Sequence, residues 1–160
     1  MRALYGFAVV VTAVGLFATS VAAQSANWQD LMAQAETFYR QGRYTEGTPL
    51  AEEALKIAEK TFGGDHRNVA ITLNNLAGLY YDRGQYDQAK SFVERALAIL
   101  GEVLGGNDPD VAISLNNLGE VYRSQGEYKQ AASLYDHALE IFNKSFGTNH
   151  PYVAACLNNL

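Results

Sequence analysis

Residues 69–76 read VAITLNNL, and the phrase returns as VAISLNNL at 111–118 and as VAACLNNL at 153–160. The copies are spaced 42 residues apart along the chain. A fixed period of about 20 to 50 residues is typical of architectures that stack one small unit, because a single unit cannot bury its own apolar face. We therefore expect a stack that presents a surface rather than a single reaction centre.

The apolar residues within each unit follow the spacing of an α-helix. Leu73, Leu76, Ala77 and Tyr80 lie at i, i+3, i+4 and i+7, on one side of a helix. Gly84 then interrupts the pattern, and a second helical stripe follows. A loop rich in Gly closes the unit and leads into a Pro, which suits a helix end followed by a helix start. Each unit is predicted to be helix, tight turn, helix and loop, so the fold class is all-α.

The array is predicted to occupy residues 24–160. Its units lie at about 27–68, 69–110 and 111–152, with a partial unit at 153–160. The first unit is the most divergent, since it has Gly47 and Pro49 inside its second helix. Pro removes a backbone hydrogen bond and clashes one turn back. We expect this helix either to start late, capped by Thr48, or to be kinked at Pro49.

The N-terminus has the layout of a secretory signal peptide. Arg2 supplies a positive start, an apolar run follows, and Val21 and Ala23 are small residues at −3 and −1 of a cleavage site. Residues 1–23 are therefore predicted to be a signal peptide cut after Ala23, which indicates a periplasmic or secreted protein. The alternatives are an uncleaved membrane anchor, although the run is shorter than a typical spanning helix, or a buried helix.

Charge and cysteine content exclude several classes of partner. The formal net charge is −5 and the bases form no stripe, so nucleic acid and anionic lipid are poor candidates. The only cysteine, Cys156, rules out an internal disulfide framework. It stands where the earlier units have Thr72 and Ser114, so we interpret it as a small packing residue, with an intermolecular disulfide as the alternative.

No motif for catalysis, a metal or a cofactor is found. The glycine pairs lack the lysine of a phosphate-binding loop, and no Cys-x-x-Cys or His-x-x-x-His occurs. His66 and His150 occupy equivalent loop positions two periods apart, too far to share a metal ion. We expect them to order their loops. The sequence predicts a protein that is not an enzyme, with no cofactor.

The residues at fixed positions of the unit resemble a tetratricopeptide repeat. A small residue precedes an aromatic one by three positions at Ala77 and Tyr80, and Ala89 and Ala96 stand at that family's later spacing. The 42-residue length and the LNNL phrase are similar to the repeats of kinesin light chain. The resemblance covers residues 27–160 and implies a right-handed α-solenoid. It further implies a non-catalytic scaffold that binds a protein or peptide on its concave face.

Each unit carries an asparagine pair in the middle of its first helix, where asparagine is a mediocre helix former. Two interpretations stay open. The resemblance implies that these positions line the concave face and bind peptide through their amides. Alternatively, one asparagine of each pair bridges neighbouring units. The candidate binding residues are the asparagines and their neighbours one turn along: Asn74, Asn75, Asn116, Asn117, Tyr81, Glu120, Arg123, Glu36, Tyr39 and Arg40. Because this set is mixed in sign, no strong preference for acidic ligands is expected.

The sequence ends at Leu160, inside the first helix of a fourth unit. Solenoids normally end in a polar capping helix. We therefore expect either self-association through this end or a longer protein. The alternative function is the N-terminal part of a protein whose later domain is a protease-like enzyme or a signalling element. Membrane association is expected only if the signal segment stays uncleaved.

Overall fold

The computed structural model describes the backbone of residues 5–160 and the side chains of residues 23–160. The described part of the chain consists of α-helices joined by short turns and loops, without strands. The predicted all-α repeat solenoid is therefore confirmed. Odd-numbered helices open the units and even-numbered helices close them. The helices are α1 Tyr5–Arg40, α2 Tyr44–Phe62, α3 Arg67–Asp82, α4 Tyr86–Leu104, α5 Pro109–Ser124, α6 Tyr128–Phe146 and α7 Pro151–Asn159.

The predicted signal peptide, residues 1–23, lies almost entirely outside the residues whose side chains are described. It therefore stays a prediction. Helix α1 runs without a break from Tyr5 to Arg40, through the predicted cleavage position. Within the described residues, no helix has both the length and the hydrophobicity needed to cross a bilayer.

A glycine sets the tight turn between the paired helices of every unit. The tight turns between paired helices use Gly42, Gly84 and Gly126, with φ of +71°, +73° and +81°. These angles are in the left-handed region, which glycine adopts at little cost. The predicted turn at Gly84 is therefore where the chain reverses.

The loops between units end in side-chain caps on the next helix. Asp108 Oδ1 accepts a hydrogen bond from the Asp110 N–H at 2.9 Å, at the start of α5. His66 Nδ1 does the same for Asn68 at 3.1 Å, and His150 Nδ1 for Tyr152 at 3.3 Å. Such caps satisfy backbone donors that have no partner within the helix. The two histidines thus act as helix caps in their loops.

Helix α2 does not start late. It begins at Tyr44, and Thr48 lies inside it, where its hydroxyl donates to the Tyr44 carbonyl oxygen at 2.7 Å. Pro49 is tolerated because it and Thr45, whose carbonyl loses its usual partner, both lie on the exposed side of the helix. Water can satisfy that carbonyl.

The core fills the space between the paired helices. The predicted stripe residues Leu73, Leu76 and Ala77 are all buried. The third unit packs differently from the second, because Gly119 lies against the ring of the buried Tyr135. A Cβ atom at Gly119 would lie only 2.5 Å from Tyr135 Cε1. The glycine is what makes room for the tyrosine.

Candidate functional site

The odd-numbered helices α1, α3 and α5 line a groove with a volume of about 480 Å³, here called the inner groove. Seven of the ten predicted binding residues line it: Glu36, Tyr39, Asn74, Asn75, Tyr81, Asn117 and Glu120. The first helices of the units therefore form this surface together.

Three predicted residues do not line the inner groove. Arg40 points to solvent, with 74% of its side chain exposed, and forms an ion pair with Glu36 one turn earlier. Asn116 accepts a hydrogen bond from Asn159 Nδ2 at 3.1 Å, in the next unit. Arg123 is exposed. The helical period turns Arg40 and Asn116 away from the side that faces the groove, whereas the Arg123 guanidinium lies near the Tyr135 hydroxyl.

A line of polar contacts joins α3 to α5, here called the polar seam. Arg67 Nε donates to Asp110 Oδ2, and Asn117 Nδ2 donates to Asn74 Oδ1 at 3.3 Å. The hydroxyls of Tyr81 and Ser124 lie 2.7 Å apart. Each contact joins residues 43 positions apart, and successive contacts are about two helical turns along. The two helices therefore run side by side in the same direction.

The asparagine amides take part in this bridging between units. Asn74 accepts from Asn117 and also donates to Ser114 Oγ at 2.7 Å. Asn116 and Asn159 repeat the amide contact between α5 and α7. The first asparagine of one pair is thus joined to the second asparagine of the next pair, as the bridging interpretation requires.

Asn75 is the exception among these amides. The residue 43 positions before it is Met32, which offers no amide oxygen. Both side chains line the inner groove, and Asn75 is exposed with no side-chain hydrogen bond to any described residue. Its donor and its acceptor are therefore free for a ligand.

Gly78 leaves space in the wall of the groove, and the Tyr39 ring lies beside it. A Cβ at Gly78 would lie 3.7 Å from Tyr39 Cε2, so the ring lies against this glycine. Partial burial raises the pKa of the Tyr39 phenol, and the Asp82 carboxylate beside it raises that pKa further. The neutral phenol is the form present at physiological pH, and it can donate or accept a hydrogen bond.

The charged residues that line the inner groove are all acidic: Glu36, Asp82 and Glu120. Arg40 and Arg123, the basic members of the predicted set, lie outside this lining. The sequence analysis did not name Met32 and Asp82, which line the groove, or Ser124, which belongs to the polar seam. The spacing of 43 residues would have found them, since it pairs Asn75 with Met32, Tyr39 with Asp82 and Tyr81 with Ser124.

The single cysteine is part of the core. Cys156 is fully buried, and its Sγ lies 3.2 Å from the Tyr135 carbonyl oxygen, to which it donates. Burial raises the pKa of the thiol, which keeps it protonated. Among the described residues, no group of three or more His, Cys, Asp or Glu side chains is arranged to hold a metal ion.

The fold and the inner groove define a helical repeat scaffold that presents a continuous groove along its first helices. The tetratricopeptide repeat model matches residues 26–102, 70–144 and 110–160. The chain belongs to the tetratricopeptide repeat family, whose members are protein–protein interaction scaffolds that bind proteins or peptides. The predicted resemblance to kinesin light chain repeats is confirmed. No curated protein matches the sequence.

Solved structures show the same fold. The TPR-like repeats of a protein described as a kinesin light chain, from Podosopora anserina, align with a TM-score of 0.73 and 24% identity, covering 80% of this chain and 61% of that one. BtubC (BKLC) from P. vanneervenii aligns with a TM-score of 0.69 and 24% identity, covering 89% and 63%. The Sgt2 TPR domain from Aspergillus fumigatus gives 0.61 and 21%, covering 82% and 74%. The chain thus spans less than two thirds of the first two.

Proposed function

We propose that this protein is an exported, non-catalytic scaffold that binds an extended protein segment in the inner groove. The observation that carries the proposal is the free amide of Asn75 in a groove whose other asparagines are occupied by bridging contacts. Neighbouring helix axes lie about 8–10 Å apart, so a groove across α1, α3 and α5 is roughly 20 Å long. An extended segment of about six residues has this length.

The proposed contacts are hydrogen bonds to backbone and polar side chains. Asn75 offers both a donor and an acceptor, which suits the backbone of an extended peptide. The Tyr39 and Tyr81 rings add apolar area at low entropic cost, because each has few rotatable bonds. Together these groups support binding without requiring one strict sequence.

The test is peptide binding by the full chain and its loss when the groove is filled. A phage-displayed library of random short peptides is panned against the protein, and the affinity of a selected synthetic peptide is measured by fluorescence anisotropy. Gly78→Gln introduces a long side chain into the groove and favours the helix, so the variant stays folded. We expect affinity to fall by about tenfold or more, close to 1.4 kcal/mol.

Gly101→Gln is the matched control. Gly101 is also a helical glycine, in α4, and it has open space around its Cβ position. This change should leave affinity within about twofold, well under 1 kcal/mol. Equal loss in both variants, or no selected peptide at all, would contradict binding in the inner groove.

Export rests on the sequence of the N-terminus and is tested separately. A cleaved signal peptide predicts an exported product that begins at Gln24. Intact mass of the protein recovered outside the cytoplasm checks this. Recovery of the product with residues 1–23 still attached, in a membrane fraction, would show an anchor instead.

A second candidate is that this array is part of a longer protein with a protease-like or signalling domain. The chain spans 61% of the Podosopora anserina repeats and 63% of BtubC, so both of those chains are longer than the part that aligns. Sequencing the transcript beyond the codon for Leu160 decides between the two candidates. A stop codon there would exclude the second.

A further inference from the structure

The carboxylates of the inner groove follow the repeat. Glu36, Gly78 and Glu120 are equivalent positions of successive units, 42 residues apart. The groove therefore has an acid at each end and a gap between them at Gly78. Asp82 lies one turn beyond the gap and lines the groove as well. The nearest cation on α1, Arg40, is held by an exposed ion pair with Glu36, which contributes little and can be exchanged.

Aromatic rings border the gap. Tyr39 lies against Gly78, and Tyr81, at the equivalent position one unit later, lines the groove as Glu120 does. The face of a tyrosine ring attracts an ammonium or guanidinium group. Carboxylates together with ring faces form a suitable environment for a lysine or arginine side chain, since the long apolar stem packs on the ring.

A buried hydroxyl lies near the Glu120 end of the groove. Tyr135 is 1% exposed, and its Oη has no hydrogen-bond partner in the described structure. Burial raises the pKa of Tyr135 to about 12. The Arg123 guanidinium lowers that pKa, and Glu120 and Tyr81 raise it, so the hydroxyl lies close to all three. The ring reaches this place past Gly119, which has no side chain to block it. The hydroxyl is buried beneath the groove surface, so it does not contact a bound segment.

We infer that the segment bound in the inner groove is basic, an extended stretch with lysine or arginine side chains at the Gly78 gap and beside Glu120. This inference rests on the proposed function. An acidic segment would face three carboxylates at close range, without a cation in the lining to offset them. A neutral segment would leave Asp82 and Glu120, which form no ion pair with a described residue, without a partner of opposite charge.

The experiment compares peptides that differ only in charge. A groove-binding peptide from the panned library is synthesised with its lysine and arginine residues intact, or replaced by glutamine, or replaced by glutamate. At low ionic strength we expect the glutamine version to bind about tenfold more weakly and the glutamate version more weakly still. The difference should shrink at high salt, because exposed charges are screened.

The variant Glu36→Gln/Asp82→Asn/Glu120→Gln tests whether the preference for basic peptide comes from the groove carboxylates. These changes keep the shape of the side chains and their ability to accept hydrogen bonds. In this variant the basic and glutamine peptides should bind within about twofold of each other. The glutamine peptide should bind the variant as it binds the unmodified protein.

The variant Glu53→Gln/Glu94→Gln/Asp136→Asn is the matched control. It removes the same number of acids from exposed positions on α2, α4 and α6, which do not line the groove. The preference for basic peptide should persist in it at about tenfold. Loss of the preference here would assign it to net charge and overturn the inference.

The preference for a basic segment and the binding site itself can be disproved separately. Selected peptides that bind equally well with or without basic residues, or better with acidic ones, would overturn the basic preference and leave the scaffold function standing. Peptides that bind but are insensitive to Gly78→Gln would overturn the proposed site, and the inference with it.

Discussion

Asn75 and Asn117 occupy the same position of consecutive units, and their surroundings differ. Asn117 donates to Asn74 on the preceding unit, whereas Asn75 faces Met32. The same residue type is therefore a structural bridge in one unit and an open polar group in the other. The difference arises from a single residue of the first unit.

The pair Asn75→Ala and Asn117→Ala separates the two roles. Asn117→Ala removes a part-buried hydrogen bond and should lower the free energy of unfolding by about 0.5–1.5 kcal/mol. Asn75→Ala should change it by less than about 0.5 kcal/mol, as exposed positions do. Asn75→Ala should weaken binding of a selected peptide by about two- to tenfold. Urea denaturation and fluorescence anisotropy on each variant check both values; a stability loss confined to Asn75→Ala would contradict this assignment.

Tyr135→Phe tests the buried hydroxyl. Since the Oη lacks a partner, its removal should leave stability at neutral pH unchanged or raise it by up to about 1 kcal/mol. The folded protein holds the phenol proton up to about pH 12, whereas the ordinary pKa is 10.0. Folding disfavours the ionised phenol, so this group leaves the free energy of unfolding constant below pH 10 and lowers it as pH rises from 10 towards 12. Denaturation at several alkaline pH values should show a shallower decline for Tyr135→Phe; an identical decline would mean that this phenol titrates normally.

At the scale of helices, the units differ in how the paired helices fit. The second unit has Ala77 against α4, with Val93 at the position that Tyr135 takes in α6. The third unit has Gly119 and Tyr135 instead, and the ring fills the space of the missing methyl group. A small residue on one helix is matched by a larger one on the other, so total volume is kept.

The Gly119 and Tyr135 pair of the third unit can be replaced by the alanine and valine pair that the second unit has. Gly119→Ala alone should cost about 1–3 kcal/mol, since the new methyl group would overlap the ring, and this outweighs the gain in helix propensity. Gly119→Ala/Tyr135→Val recreates the pair of the second unit and should recover most of the loss. A double-mutant cycle by urea denaturation measures the coupling. Additive effects of the two changes would show that the residues do not share one space.

At the scale of the whole molecule, contacts between units hold the stack together. Trp28 of α1 donates from Nε1 to Thr72 Oγ1 at 2.9 Å, across the first two units. The Thr72 hydroxyl in turn donates to the Asn68 carbonyl oxygen at 2.8 Å. Since each unit contacts mainly its neighbours, the cooperativity of unfolding depends on such contacts.

Thr72→Val should weaken the link between the first unit and the rest. It leaves the buried Trp28 N–H without an acceptor, which costs about 1–3 kcal/mol. Trp28 is the only tryptophan, so its fluorescence reports on the first unit, whereas circular dichroism reports on all helices. The two unfolding curves should coincide for the unmodified protein, and the fluorescence curve should move to lower temperature in the variant. Coincident curves in Thr72→Val would show that this bond is not needed for cooperativity.

Much of the architecture follows from local patterns in the sequence. The helical spacing of Leu73, Leu76 and Ala77 and the turn at Gly84 predict helix pairs, because these patterns depend on residues close together in sequence. The 42-residue repeat predicts that the pairs are stacked. Because the asparagine pairs occupy equivalent positions of successive units, the repeat also indicated that they lie on a shared surface. The sequence left open whether α2 starts late at Thr48 or is kinked at Pro49, because the effect of Pro49 depends on which side of the helix is exposed.

Only the tertiary structure decided how the candidate residues are used. Whether an asparagine bridges units or stays free depends on the residue across the interface, which is 43 positions away in sequence. The acidic character of the groove lining depends on Arg40 and Arg123 lying outside that lining. Helix periodicity gives each side chain a direction relative to its own helix, whereas the packing between units determines which of those directions face the groove and which face a neighbour.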